Sequence, residues 1–257
     1  MRYLHLIILL IVLLMSAGCT SQDETEKKEV LISAAASLSD VLAELTDVFE
    51  QEHPDVVLSL NYGASGKLAQ QISKGAPVDV FLSADQTWMD RLAEQDLLAA
   101  DTRMNFAHNN LALASSKQKS FSVSSLQELP NLDVKQIALG NPESVPAGKY
   151  AEQALKESGV WDAVKGKLVH TSDARQTLTY IESENTEIGF IYTSDLKRSK
   201  LTKEVLPIDE ALHNPITYPA AVIASSETKQ TAKAFLSFLQ TDKARSILDK
   251  YGFGDER

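Results

Sequence analysis

Cysteine is nearly absent from this chain. Cys19 is the single thiol among 257 residues, so no internal disulfide can form. Basic charge is also short: 25 Lys and Arg stand against 35 Asp and Glu, a formal net charge of −10. That argues against a nucleic-acid partner, for which a basic stripe is expected. The apolar run from Leu6 to Met15 has ten residues, about half of what a membrane-spanning helix needs. Past residue 30 there is no internal repeat, low-complexity tract or linker. What is present is a chain that is 44% hydrophobic, enough to bury a core, and long enough for one large domain or two small ones.

Residues 1–19 read as a targeting segment. Met1 and Arg2 give a basic start, the apolar run follows, and Ser16, Ala17 and Gly18 are small. A lone cysteine directly after such a box resembles the bacterial lipoprotein site, where the thiol is lipidated and becomes the new N-terminus. The alternative is ordinary signal cleavage beside an incidental cysteine. Residues 20–28, TSQDETEKK, are polar and charged and read as a flexible tether. The expectation is an extracytoplasmic protein held on the membrane by a lipid on Cys19.

From Val30 the chain alternates strand and helix patterns. Strands are expected at 30–36, 56–62, 78–84, 111–115, 136–142, 167–171, 187–193, 204–208 and 216–224. Helices are expected at about 37–51, 65–74, 86–94, 147–158, 160–165, 173–183, 228–240 and 242–250. Such alternation predicts mainly parallel sheets covered by helices. About ten strands fit two sheets better than one. The fold class is therefore α/β, as two doubly wound α/β domains joined by two crossover strands, for which 111–115 and 216–224 are the candidates. The first domain takes 29–111 plus 217–257, the second 112–216.

The segment NYGASGKLAQQI (61–72) nearly spells two chemical motifs. A phosphate loop needs a hydroxyl after Gly66-Lys67, and Leu68 stands there. A hydrolase elbow needs glycine where Lys67 stands. It also needs a base, and His53, His108, His170 and His213 have no local context that marks one; each reads as a surface or loop residue. What remains is strand, tight turn, serine and helix. One reading is that Ser65 caps its own helix. The other is an anion site, because the first N–H groups of a helix lack partners and carry the positive end of its dipole. The same design recurs at Ser37, at Pro146-Ala147-Gly148, and at Ser172-Asp173. In open α/β sheets ligands bind at the carboxyl ends of strands, so these four turns are expected to face one cleft.

AAASL (34–38), GAPVDVFLSADQTWMD (75–90), GNPESVPAGKYA (140–151), GVWD (159–162), IGFIYTSD (188–195) and KYGF (250–253) run in order along the body of the chain. In them the sequence closely resembles the molybdate-binding proteins of bacterial ABC importers. The resemblance implies a periplasmic-binding-protein fold of type II, hinged by two crossovers and closing on one tetrahedral oxyanion. The binding serines of that family match Ser37 and Ser65. Its backbone donors match Ala147 and Ala174, and its tyrosine matches Tyr192. Gly63 and Gly66 stand in a turn that is richer in serine elsewhere in the family.

These expectations form one functional reading. The protein would capture molybdate, and tungstate with it, and deliver it to the membrane permease of an ABC importer. It would be a monomer without cofactor or catalysis, and with no direct protein ligand to the metal. Hydroxyls and N–H groups suffice for a dianion with no proton to donate, whereas a protonated phosphate would meet donors with a donor. Lys67 and Arg175 flank two of the turns, either steering anions or as solvated surface residues. The other readings are a receptor for another tetrahedral oxyanion such as sulfate, a secreted hydrolase using Ser65 or Ser37, and an anchored adhesion protein.

Overall fold

The computed structural model describes residues 27–254. The targeting segment, Cys19 and the tether up to residue 26 lie outside the described residues. The strands form two five-stranded sheets. The first contains β1 (Lys28–Ala35), β2 (Val56–Gly63), β3 (Val80–Leu82), β4 (Met104–Asn109) and β10 (Ile216–Val222), in the order β2-β1-β3-β10-β4. The second contains β5 (Leu111–Ser116), β6 (Ile137–Gly140), β7 (Leu168–Thr171), β8 (Ile188–Tyr192) and β9 (Thr202–Pro207), in the order β7-β6-β8-β5-β9. The strand β1 takes in Lys28, the last residue of the expected tether.

In each sheet four of the five strands run the same way, as expected of mainly parallel sheets, and one is reversed: β10 in the first sheet and β5 in the second. The physical reason lies in the crossings. Parallel neighbours need a crossover helix to bring the chain back to the same end, but β5 and β10 arrive directly from the other lobe. Asn110 alone separates β4 from β5, and residues 208–215 separate β9 from β10. Neither 111–115 nor 216–224 spans both sheets. Leu111 already pairs with Tyr192 in the second sheet, and Ile216 pairs with Asn109 in the first.

Helices close both faces of each sheet. In the first lobe α1 (Ser39–Glu52) buries Val41, Leu42, Leu45 and Phe49 along one stripe. Phe49 meets Phe235 and Phe238 edge-on at 5.4 and 5.5 Å, which seats α8 (Lys229–Leu239). The chain ends in α9 (Asp242–Tyr251), stopped by Gly252 at φ 89°. On the opposite face α2 (Ser65–Ser73) and α3 (Gln86–Ala93) bury Leu68, Ile72, Trp88 and Leu92 against Phe81 and Ala221. In the second lobe α4 (Pro146–Glu157), α5 (Trp161–Val164), α6 (Ala174–Glu182) and α7 (Thr193–Arg198) cover the other sheet.

Candidate functional site

A small cavity of about 10 Å³ lies where the carboxyl ends of β1, β2, β6, β7 and β8 meet. Ser37, Ser65, Ala147, Ala174 and Tyr192, the five residues picked from sequence, all line it. Ala36, Gly63, Ala84, Val145 and Pro146 complete much of the wall, and no charged residue lines it. Sites for drug-sized ligands run to about 300–1,000 Å³, so this cavity suits something smaller.

Each lining group is aimed by the turn that carries it. Ser37 sits in a single 3₁₀ turn, Ala36–Leu38, between β1 and α1. Its Oγ lies 3.0 Å from the phenol oxygen of Tyr218. Ser65 is the first residue of α2, and Ala64, which has no capping side chain, holds the N-cap position. The alternative reading, that Ser65 caps its own helix, therefore fails. Its Oγ instead accepts the Ala84 N–H at 3.1 Å. With its oxygen so engaged, the hydroxyl proton is available to donate into the cavity.

Pro146 opens α4 with no side chain at the N-cap, a position where proline's missing N–H is harmless. The Ala147 N–H then has no acceptor within the described residues. Packing is tight here: a Cβ on Gly148 would lie 1.7 Å from the Gly140 carbonyl oxygen. Asp173 caps α6 by accepting from the Gln176 N–H at 2.9 Å. The Ala174 N–H, on the cavity side, likewise has no acceptor within the described residues.

Tyr192 ends β8 and is 1% exposed. Among the described residues its hydroxyl has no hydrogen-bond partner of normal geometry, although the Tyr218 hydroxyl stands next to it. Burial, reinforced by Tyr218, Tyr150 and Asp85, pushes its pKa well above 10, so the phenol stays protonated at neutral pH and is available as a donor. The Tyr218 ring packs beside it at 6.0 Å, tilted by 60°. A buried hydroxyl without a partner costs about 1–3 kcal/mol, so its place in a cavity wall marks where an acceptor belongs.

The lobes touch around the cavity. The Gly66 N–H donates to the Ser144 carbonyl at 3.0 Å. A Cβ on Gly66 would lie 2.8 Å from that oxygen and 2.5 Å from the Trp88 ring, so glycine lets the lobes approach. Lys149 Nζ reaches Asp85 Oδ2 at 3.0 Å and donates to Thr87 Oγ1 at 2.7 Å. Arg175 pairs with Asp40 at 2.7 Å. Neither sequence reading of Arg175, steering cation or solvated residue, describes this cross-lobe pairing. Lys67 is exposed.

Sequence reasoning missed the groups behind the cavity. Asn109, at the first crossing, donates to Ser194 Oγ at 2.8 Å and to the Tyr218 hydroxyl at 3.4 Å. Its Oδ1 accepts from Thr193 Oγ1 at 3.0 Å. The position of Asn109 just before a change of sheet was the available signal. Asp195, beside Ser194, is 3% exposed, and burial pushes its pKa up to about 7 against the pull of Arg198 and Arg175. His213 lies in a loop, one of the two expected places, but is 9% exposed and packs against the Tyr150 ring. No histidine lines the cavity, and neither Ser37 nor Ser65 has a basic side chain as partner.

Comparison with known proteins follows from this geometry. Residues 30–254 match the family described as bacterial extracellular solute-binding protein. The Bacillus subtilis (strain 168) protein YvgL, named as an ABC transporter substrate-binding lipoprotein, is 37% identical over 99% of both chains. The molybdate-binding protein ModA of Escherichia coli (strain K12) is 35% identical over 89% of this chain and 90% of its own. A solved structure from Clostridium difficile, described as the substrate-binding domain of a molybdenum ABC transporter, superposes with a TM-score of 0.70 at 41% identity. It covers 90% of this chain and 100% of that one.

Proposed function

The chain belongs to the bacterial extracellular solute-binding proteins, and we propose that it captures molybdate between its lobes and delivers it to an ABC importer. The carrying observation is the Tyr192 hydroxyl, buried without a partner of normal geometry in the wall of a small cavity that has no charged lining. The naming of relatives for molybdate and for molybdenum transport supports the same ligand.

In this reading the donors are the hydroxyls of Ser37, Ser65 and Tyr192 and the N–H groups of Ala147 and Ala174, all from residues that line the cavity. A hydrogen bond to a charged group contributes about 1.5–3 kcal/mol, so five supply roughly 7–15 kcal/mol gross. Closure and lost ligand freedom offset part of that. A net of about 8 kcal/mol is already micromolar affinity. Tungstate, of the same charge and nearly the same size, binds alongside molybdate in this reading. Hydrogen phosphate is rejected because its proton faces donors, and sulfate because it is smaller.

The protein acts as a receptor and not as a hydrolase, since neither cavity serine has a base beside it. In this reading Cys19 carries the lipid that holds it at the membrane, which agrees with the lipoprotein name of the B. subtilis relative. Calorimetric titration with molybdate, tungstate, sulfate and phosphate tests the assignment. Tight binding of the first two alone supports it. Preference for sulfate replaces it with the other oxyanion reading, and heat from none of them overturns it.

A further inference from the structure

One acid from the first lobe holds two arginines from the second at the rim of the cavity. Asp40 lies in the first turn of α1, three residues past Ser37. Arg175 grips it with both guanidinium nitrogens, Nη1 to Oδ2 at 2.7 Å and Nη2 to Oδ1 at 3.3 Å. Arg198 reaches the same Oδ2 with Nε at 2.6 Å. Both arginines are tied to the site by their positions. Arg175 follows Ala174, and Arg198 ends α7, which starts just after Tyr192. Arg198 Nη2 also faces Asp195 Oδ1, but only at 3.8 Å, and Nη2 has no hydrogen bond. Asp40 is therefore its closest counter-charge. None of these four residues lines the cavity.

We propose that Asp40 is the latch of the closed form, setting how long a bound anion stays without touching it. The proposal rests on the reading that the cavity takes an oxyanion and that the lobes part to admit it. Separating the lobes breaks every contact to Asp40, because both partners sit across the cleft. Bidentate arginine–carboxylate pairs are among the stronger ion pairs, and the partial burial here, with side chains 26–41% exposed, limits screening. Opening returns Arg175 and Arg198 to the acids of their own lobe, Asp195 and Glu182, and closing adds Asp40 across the cleft. Retention thus rests on the cross-lobe pairing, and Asp40 acts as a positioning residue.

The test is stopped-flow fluorescence of the purified full chain with molybdate, using Trp88 beside the cleft as reporter, at low and high salt. Asp40→Asn keeps the shape and removes the charge. We expect its dissociation rate to rise about tenfold, equivalent to about 1.4 kcal/mol, with the association rate within a factor of two or slightly raised. Salt accelerates dissociation of the parent and leaves that of Asp40→Asn nearly unchanged. Asp40→Glu recovers part of the slow release, which a merely structural role would not give. An unchanged dissociation rate in Asp40→Asn, or a loss confined to association, overturns the latch while leaving the oxyanion reading intact. If the parent binds none of the oxyanions, that reading fails and solution X-ray scattering decides the latch. Asp40→Asn then has a larger radius of gyration than the parent, and equal radii overturn the latch.

Discussion

Replacing Tyr192 by phenylalanine removes one oxygen and leaves the ring, which is 1% exposed and packed beside Tyr218. The consequences in the ligand-free and bound protein run in opposite directions. Without ligand the hydroxyl has no partner of normal geometry in the closed form, so its removal relieves up to about 1–3 kcal/mol there. In an open form the hydroxyl reaches water and the gain shrinks toward zero. With the anion bound, the variant lacks one bond to a charged acceptor, about 1.5–3 kcal/mol. That converts to a dissociation constant about 10- to 150-fold higher. Calorimetry with molybdate gives the affinity, and melting of the ligand-free protein gives the stability. The expected pair is weaker binding with a melting temperature equal to or above that of the parent. An affinity within twofold of the parent would show that the hydroxyl does not hold the ligand. A clear fall in ligand-free melting temperature would show that it serves a protein partner instead.

Molybdate at a thousand times its dissociation constant stabilises the bound form by about 4 kcal/mol, which raises the melting temperature by roughly 8–16 °C for a chain of this size; a scan with and without ligand checks it. Gly66→Ala places a methyl group against Trp88 and the Ser144 carbonyl, so the dissociation constant for molybdate rises at least about tenfold by calorimetry. Gly63→Ala meets only a Leu68 methyl at 3.3 Å and changes it by less than about threefold. Asp195 has its pKa pushed from an ordinary 3.8 to about 7 by burial, so the folded state holds its proton more tightly than the unfolded one. Its contribution to stability is full below pH 3.8 and is lost as pH rises toward 7, up to about 4 kcal/mol. Asp195→Asn therefore melts higher than the parent at pH 8.5, and the difference narrows at pH 5; equal differences at both would refute the assignment.

The helices were readable because their apolar spacing is set by local geometry, as in α1, where Val41, Leu45 and Phe49 recur at four-residue steps. The turns at Ser37, Ser65 and Ala147 were readable for a related reason, since a strand that ends in small residues and continues into a helix leaves backbone N–H groups open, whereas Ala174 and Tyr192 were reached only through the family resemblance. The strand β4, MNFAHN, was not readable. It has Asn at positions 2 and 6 and lies at the edge of its sheet, so alternation is weak. The short helix α7 was not expected, because six residues carry too little period. Pairings between distant residues leave no trace in periodicity. Asp40 and Arg175 stand 135 positions apart, and Ser37 and Tyr218 stand 181 apart. The partner of Ser65 was hidden on the same ground, since Ala84 comes from another strand-to-helix turn.

A protein with a net charge of −10 holding a dianion needs a local source of positive potential. At distances beyond about 8–10 Å salt screens the surface charge, so the source has to lie within the first contacts. In the proposed site the starts of α2 and α4, which have no capping side chain, and the Ala174 N–H beside the Asp173 cap of α6 are that source, at the positive end of each helix dipole. A lysine or arginine inside the cavity would strengthen attraction for every anion alike. Fixed neutral donors act differently, because each forms its bond only where an acceptor oxygen stands. Arg175, the cation next in sequence to the site, is turned to Asp40 at the rim. In the proposed reading the ion pairs of Asp40 govern release at the mouth, and the direction of N–H and O–H groups governs which ion is kept.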